Sequence, residues 1–254
     1  MSVNNRLEIF VPDMEQLWPG GPRFLQAAHF RLGTDSVLLA DFVNTAGARR
    51  GMDLGCASGI NLLLLLTRTA ALHMTGLEIV PEAASLAREN LALNGLEGRG
   101  EIVTGDIQDH RALFRAGSFD LVVCNPPYFP EGSGALPLNQ DRAAARSELL
   151  CTLPELCAAA AFLLRTGGRA FFVHRPERLS ELFVCMTNAG LEPKRLRLVC
   201  TRAGAAPSLV LAEGRRGGKP GLRIEPALCL QNPDGTESAE YRRIYHRDES
   251  TVPG

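Results

Sequence analysis

The sequence predicts an α/β fold, a mainly parallel sheet with helices on both faces. Three observations lead there. Short apolar runs alternate with stretches of helical length through the first half of the chain. A glycine-punctuated loop follows the first of those runs, and two later strand-like runs are joined by a link short enough for a hairpin. Regular βα alternation returns the chain to the same end of the sheet each time, which makes neighbouring strands parallel.

The first predicted helix runs from Thr34, as N-cap, to about Thr45, with Val37, Leu38 and Phe42 along one face. Strands near 51–54, 73–79, 100–105 and 119–124 then alternate with helices near 59–70, 81–94 and 107–114. Asn94-Gly95 closes the second of these helices. Residues 129–145, with Gly132 and Gly134, read as a loop over the strand ends. A helix near 148–165 stops at Gly167-Gly168 and feeds a strand at 169–174, and a helix over 176–189 stops at Gly190. Strands at 191–200 and 206–213 are joined by Thr201-Arg-Ala-Gly-Ala205, so the second turns back antiparallel. Beyond Gly214 come a strand-like stretch at 222–230, a turn at Asn232-Pro-Asp-Gly235 and a short polar helix near 236–246, expected to dock on the main sheet.

The chemistry gathers where predicted strands end, the usual ligand position in an open α/β sheet. Asn125-Pro-Pro-Tyr128 follows the apolar run Phe119–Cys124. The Asn125 side-chain oxygen and the Pro126 carbonyl can accept both N–H groups of a planar amine, and Tyr128 can stack on its ring. Pro126 has no N–H to offer, and Pro127 biases it toward an extended conformation. The same four residues also suit a proline-stiffened turn. Upstream, Gly51–Ile60 reads as a strand entering Asp53, a tight turn at Gly55 and a helix from about Gly59. Its spacing departs from the dinucleotide fingerprint, and Ala57 replaces the middle glycine. Without a phosphate to face, Asp53 can accept from a cationic amino group. Glu78, ending the second strand, can take both hydroxyls of a ribose. Asp106, ending the third, can accept from an adenine amino group, with Ile79 and Ile107 as apolar faces. Singly, each acid also suits a helix cap or a solvated loop.

Together these motifs resemble the class I S-adenosylmethionine-dependent methyltransferases, specifically the Rossmann-like amino-methyltransferases with an Asn-Pro-Pro-Tyr motif. The likeness is nearest to the bacterial family that methylates the 6-amino group of an adenosine in valine tRNA. Carrying it are Phe30-Arg-Leu-Gly-Thr-Asp-Ser-Val-Leu-Leu-Ala40, Arg142-Ala-Ala-Ala-Arg146, His174-Arg-Pro-Glu-Arg-Leu179 and Pro193-Lys-Arg-Leu-Arg197, over about residues 22–246. The resemblance implies a seven-stranded sheet with an antiparallel last strand, S-adenosylmethionine as cofactor, RNA, specifically tRNA, as partner, and position 37 of the anticodon loop as target. It also implies that Thr34 and Asp35 help close the cofactor pocket and that Arg142 and Arg146 meet phosphates. Capping of the helix by Thr34 and Asp35, and solvation of the two arginines, stay open beside those roles. Domain boundaries follow: an N-terminal segment at 1–33 near the cofactor site, the methyltransferase domain at 34–214 and a C-terminal extension at 215–254. Ala57, where the family loop usually has Gly, adds a methyl and is expected to weaken cofactor contact modestly.

Composition narrows the alternatives. The 254 residues are 45% hydrophobic, enough for a full core, yet no run approaches the roughly 20 apolar residues of a membrane span. Met1-Ser-Val-Asn-Asn-Arg-Leu-Glu8 lacks a signal-peptide layout, and seven cysteines without a C-x-x-C pair suit buried thiols in a reducing cytoplasm. His29, His73, His110, His174 and His246 show no metal-ligand spacing, so no metal is expected. Net charge is −1, but residues 165–223 carry 12 Lys and Arg against 4 Asp and Glu. That segment suits a phosphate-tracking surface; a solvated face or structural ion pairs are the competing reading. Other planar amines, a protein glutamine amide or a ribosomal guanine, would fit the same acceptors, and a non-catalytic cofactor-binding scaffold is the reading from another class.

Overall fold

The computed structural model describes residues 13–26, 32–126 and 151–247. Four parallel strands build the first half of the sheet: β3 (Arg50–Leu54), β4 (His73–Glu78), β5 (Gly100–Thr104) and β6 (Phe119–Cys124). They are joined by α2 (Ile60–Arg68), α3 (Pro81–Leu93) and a short helical link of a 3₁₀ turn at Ile107–Asp109 and α4 (His110–Leu113). Then come α5 (Leu153–Leu163), β7 (Leu164–His174), α6 (Leu179–Asn188), β8 (Leu191–Arg202) and β9 (Pro207–Arg216). The order across these seven strands is β8-β9-β7-β6-β3-β4-β5, and only β9 runs antiparallel. The antiparallel strand is thus the last of the seven in sequence but lies inside the sheet.

Both faces are covered, which is why the strands read as continuous apolar runs. Along β6, Leu121 and Val123 join the core shared with α1 (Thr34–Phe42), α2 and α3; Phe119, Val122 and Cys124 join the core under α5 and α6. In α2 every residue from Ile60 to Leu66 is buried. Capping explains where α5 starts: the Thr152 hydroxyl accepts from Glu155 N, and Glu155 returns the bond to Thr152 N at 2.7 Å.

Several boundaries differ from expectation. Gly33, not Thr34, is the N-cap of α1, and no side chain caps it; the Thr34 side chain lies beside Tyr245 instead. Helix α5 ends at Leu163, and β7 starts there and carries Gly167-Gly168 inside it, with a register shift against β6 between Phe119 and Leu121. Tail residues extend the sheet beyond seven strands, since β10 (Arg223–Ile224) and β11 (Leu228–Gln231) both pair with β8 in parallel.

Both ends of the described chain brace the domain. The hairpin of β1 (Asp13–Gln16) and β2 (Arg23–Gln26) docks on α3 through two asparagines. Leu25 N donates to Asn90 Oδ1 at 2.6 Å and Arg23 N to Asn94 Oδ1 at 2.9 Å, while Asn90 Nδ2 donates to Ser58 O in the glycine loop at 2.9 Å. At the other end, α7 (Ala239–Ile244) lies against α1, with Arg243 bridging both oxygens of Asp41 at 3.2 Å. His246 stacks on Trp18, ring centroids 4.2 Å apart.

Five of the twelve cations in the basic segment pair with carboxylates of the fold. Arg165 pairs with Asp120, Arg178 with Glu181, Arg195 with Glu213 and Glu225, Arg197 with Glu240, and Arg223 with Glu225. Arg169 and Arg215 face each other toward the end of the sheet away from the β6 C-terminus. Structural ion pairs therefore account for much of the charge that suggested a phosphate surface. Exposed Arg202 does lie at the same end as Asn125.

Arg195 is the most connected of these cations, joining β8, β9 and the tail and lying 4.2 Å from the Phe42 ring centroid. Its truncation to alanine leaves Glu213, 7% exposed, without that partner. Urea unfolding of Arg195→Ala is expected to show a loss of about 2–4 kcal/mol. A loss below about 0.5 kcal/mol would mean that solvent already screens the pair.

Candidate functional site

The strand order reverses between β3 and β6, which lie side by side while their connections leave in opposite directions. A crevice forms outside the carboxyl ends at such a point. The two motifs singled out in the sequence occupy it: Asp53 to Gly59 at the end of β3, and Asn125-Pro126 at the end of β6.

The glycine loop is held by the neighbouring strand. Gly55 N and Cys56 N both donate to Leu77 O, at 2.9 and 3.1 Å. Gly55 and Gly59 take φ of 72° and 80°, the left-handed region that suits glycine, and Gly59 is the N-cap of α2. A Cβ built on Gly55 would meet nothing within 4 Å, so the loop is open on that side. Ala57 also lies in this region, at φ 46°, a conformation costing a non-glycine residue about 1–2 kcal/mol.

Glu78 locks that loop. Its Oε2 accepts from Ala57 N and its Oε1 from Val80 N, each at 2.8 Å, and its own carbonyl accepts from Gly105 N at 2.9 Å. Burial pushes the carboxyl up from its ordinary value, while the two N–H donors oppose the shift. Each oxygen keeps a second lone pair, so both can still accept from a diol. Asp106 caps the 3₁₀ turn, Oδ1 accepting from Gln108 N at 2.8 Å. The capping reading therefore holds for Asp106, with Oδ2 left for a ligand. Ile79 and Ile107 flank the two acids, both half-buried.

Asp53 is fully buried, and neither carboxylate oxygen has a well-formed hydrogen bond. The Asn61 side chain is near enough to ease its charge, yet Asn61 Oδ1 is itself buried and unpartnered. Burial first, and then the Glu78 charge, push the Asp53 carboxyl up to about 7. Such a cluster of orphaned acceptors favours a cation.

At the end of β6, Asn125 Nδ2 donates to Ser36 Oγ at 2.9 Å. That bond joins the Asn-Pro-Pro-Tyr motif to the first turn of α1, which also holds Thr34 and half-buried Asp35. The predicted residues thus fall in two groups, Asp53-Gly55-Gly59-Glu78 around the end of β3 and Thr34-Asp35-Asn125 around the end of the adjacent β6. Pro127, Tyr128, Arg142 and Arg146, and the loop at 129–145, lie outside the described residues. Ser36, Asn61 and Tyr245 are additions. Asn61 carried the clearest signal, a polar residue opening a run of five leucines. Among the described residues no group of three His, Cys, Asp or Glu could hold a metal ion.

Comparison with known proteins agrees with this geometry. The family model described as the methyltransferase small domain matches residues 28–183. The chain belongs to the methyltransferase small domain family. Among its relatives is a protein of Tolumonas auensis named tRNA1(Val) (adenine(37)-N6)-methyltransferase, 32% identical over 83% of this chain and 86% of that one. A Porphyromonas gingivalis protein of the same name is 34% identical over 84% and 86%. Among solved structures, an Agrobacterium tumefaciens protein described as a predicted O-methyltransferase superposes with a TM-score of 0.68 at 19% identity, covering 84% of this chain and 96% of that one. A geranyl diphosphate methyltransferase in complex with SAM gives 0.54 at 14% identity, covering 71% and 84%. At those identities the structural likeness speaks for the fold alone.

A methyltransferase of this family needs a methyl donor, and the residues present fit S-adenosylmethionine. The orphaned Asp53 carboxylate suits its ammonium, the Glu78 oxygens suit its ribose hydroxyls, and the open side of Gly55 admits a ligand against the backbone.

The raised Asp53 carboxyl has a consequence for stability. The folded protein binds the proton more tightly than the unfolded chain, whose value is near 3.8, so this contribution is complete at low pH. It declines as pH rises from about 4 to about 7. Asp53→Asn removes the titration, so its urea midpoint relative to wild type should climb over that interval and level off above it. A constant difference across the interval would mean that Asp53 is ionised throughout.

Proposed function

We propose that this protein transfers a methyl group from S-adenosylmethionine to the exocyclic 6-amino group of an adenosine in tRNA, at position 37 of the anticodon loop as its relatives are named to do, and that it works in the cytoplasm. The observation that carries the reading is Asn125, at the end of β6 and beside the glycine loop of β3, anchored by its amide nitrogen. The shared name of relatives more than 30% identical over most of both chains supports the choice of substrate.

When bound, S-adenosylmethionine supplies a methyl group already activated by its sulfonium, so no protein nucleophile is required. What remains for the chain is orientation and charge. Asp53 binds the ammonium and Glu78 the ribose hydroxyls, with Asp106, Ile79 and Ile107 around the cofactor's adenine and Thr34 and Asp35 closing the pocket. Asn125 Oδ1 and the Pro126 carbonyl each accept a hydrogen bond from one N–H of the target amine. That pairing draws the nitrogen toward a pyramidal geometry, with its lone pair aimed at the methyl carbon. Fixing the line from nitrogen to carbon to sulfur supplies much of the acceleration. The nitrogen gives up its extra proton after transfer, so the site needs no strong base.

The target base leaves its stack at a cost of a few kcal/mol, least in a loop. Stacking on Tyr128 offsets this by about 1–3 kcal/mol. Phosphate contacts from Arg142 and Arg146, with exposed Arg202 at the same end of the sheet, complete the RNA surface.

The test incubates the protein and labelled S-adenosylmethionine with unmodified tRNA, ribosomal RNA and release factor in parallel. The expected product is 6-methyladenosine in tRNA alone. Label confined to ribosomal RNA or to protein would overturn the substrate while keeping the site. Asn125→Ala is expected to cut transfer by about 100-fold or more, with cofactor affinity within about twofold of wild type by calorimetry.

A further inference from the structure

We infer that Ser36 is a positioning residue for methyl transfer, holding the Asn125 amide by its nitrogen so that the amide oxygen is presented to the amine; the inference rests on the amino-methyltransferase reading above. Nδ2 of Asn125 donates to Ser36 Oγ at 2.9 Å between residues 89 apart in sequence. A carboxamide has one donating and one accepting end, and only the oxygen can accept a hydrogen bond from a substrate amine N–H. A bond that occupies the donating end turns the accepting end the opposite way. Asn125 lies just past the end of a strand and is only partly buried, so the ladder does not by itself fix its side-chain torsions. Ser36 supplies a constraint on them from another element.

That element is rigid enough to serve. Val37 to Ala40 and Phe42 of α1 are buried. The helix is held by the tail through the Arg243 bridge to Asp41, with Tyr245 beside Thr34. Both contacts lie on the same short helix as Ser36, so the tail, the helix and the amide form one connected support. The bonds that tie the glycine loop to the rest of the fold come from Glu78, Leu77 and Asn90 rather than from Ser36. Losing it is therefore expected to act on turnover rather than on cofactor binding.

Single-turnover methylation of unmodified tRNA by the full chain tests this, with S-adenosylmethionine affinity measured in parallel by calorimetry. At saturating cofactor, Ser36→Ala is expected to slow transfer by about 10- to 100-fold, with affinity held within about twofold. Ser36→Thr keeps a hydroxyl at the same place and should recover most of the rate. The double variant Ser36→Ala with Asn125→Ala should be no slower than Asn125→Ala alone, because no amide is left to position. A wild-type rate in Ser36→Ala overturns the proposal. So does a penalty that adds in full to that of Asn125→Ala, or a loss that appears only as weaker cofactor binding. If wild type labels another amine, the tRNA reading falls and the same comparison on that amine decides the role of Ser36. Absence of label from every amine overturns both.

Discussion

The reversal of strand order between β3 and β6 is the constraint on which the rest of this structure depends. A parallel sheet has helices on both faces, and its interior is closed to chemistry by the packing that stabilises it. Only the strand ends remain, and at a reversal two neighbouring ends carry loops that diverge. The chain places its least core-like residues there. Asp53 sits between Met52 and Leu54, which point to the other face, and Asn125 follows a strand with no exposed residue. Each polar group is held where it is because the apolar residues beside it cannot be anywhere else.

Inside that crevice, electrostatics and backbone geometry are coupled. Glu78 uses its two oxygens to hold Ala57 N and Val80 N, so a side chain suited to a ribose also sets the shape of the glycine loop. Ala57, held in a left-handed conformation, depends on that bond more than a glycine would. Asp53 plays the opposite part. Its carboxylate is eased by the Asn61 side chain but disfavoured more by burial, with Glu78 adding to that, so an arriving cation would stabilise its negative charge. One acid therefore builds the site, and the other waits for the ligand.

The fold was legible because each piece of it is local. Alternating apolar runs and closing glycines marked β3 to β6 and the helices between them within a few residues, and the short link at Thr201–Ala205 marked the β8–β9 hairpin. Asp53, Glu78 and Asn125 were legible for the same reason, as polar residues ending apolar strands. Contacts between distant segments were not. Nothing local distinguishes Ser36 from a helix-capping serine, and nothing near Thr34 in the sequence points to Tyr245, which lies beside it from 211 positions away in the tail. The basic run at 165–223 misled in a related way. Charge counted along a sequence carries no sign of which cations face an acid across the sheet, and Arg195 and Arg197 find theirs in Glu225 and Glu240.

Those pairings explain what the C-terminal residues do. A two-residue β10 and a four-residue β11 add little ladder to β8, and α7 has barely two turns. Held by so little backbone, the tail depends on side chains for its place: Arg197 and Arg195 on the sheet, Asp41 and Thr34 on α1, and Trp18 on the N-terminal hairpin. Two of those contacts fall on α1, although the sheet already buries that helix on its inner side. A domain of this size has enough core to fold without such reinforcement. The added rigidity has more value at the first turn of α1, where a displacement of the helix would be carried through Ser36 to the amide that meets the substrate.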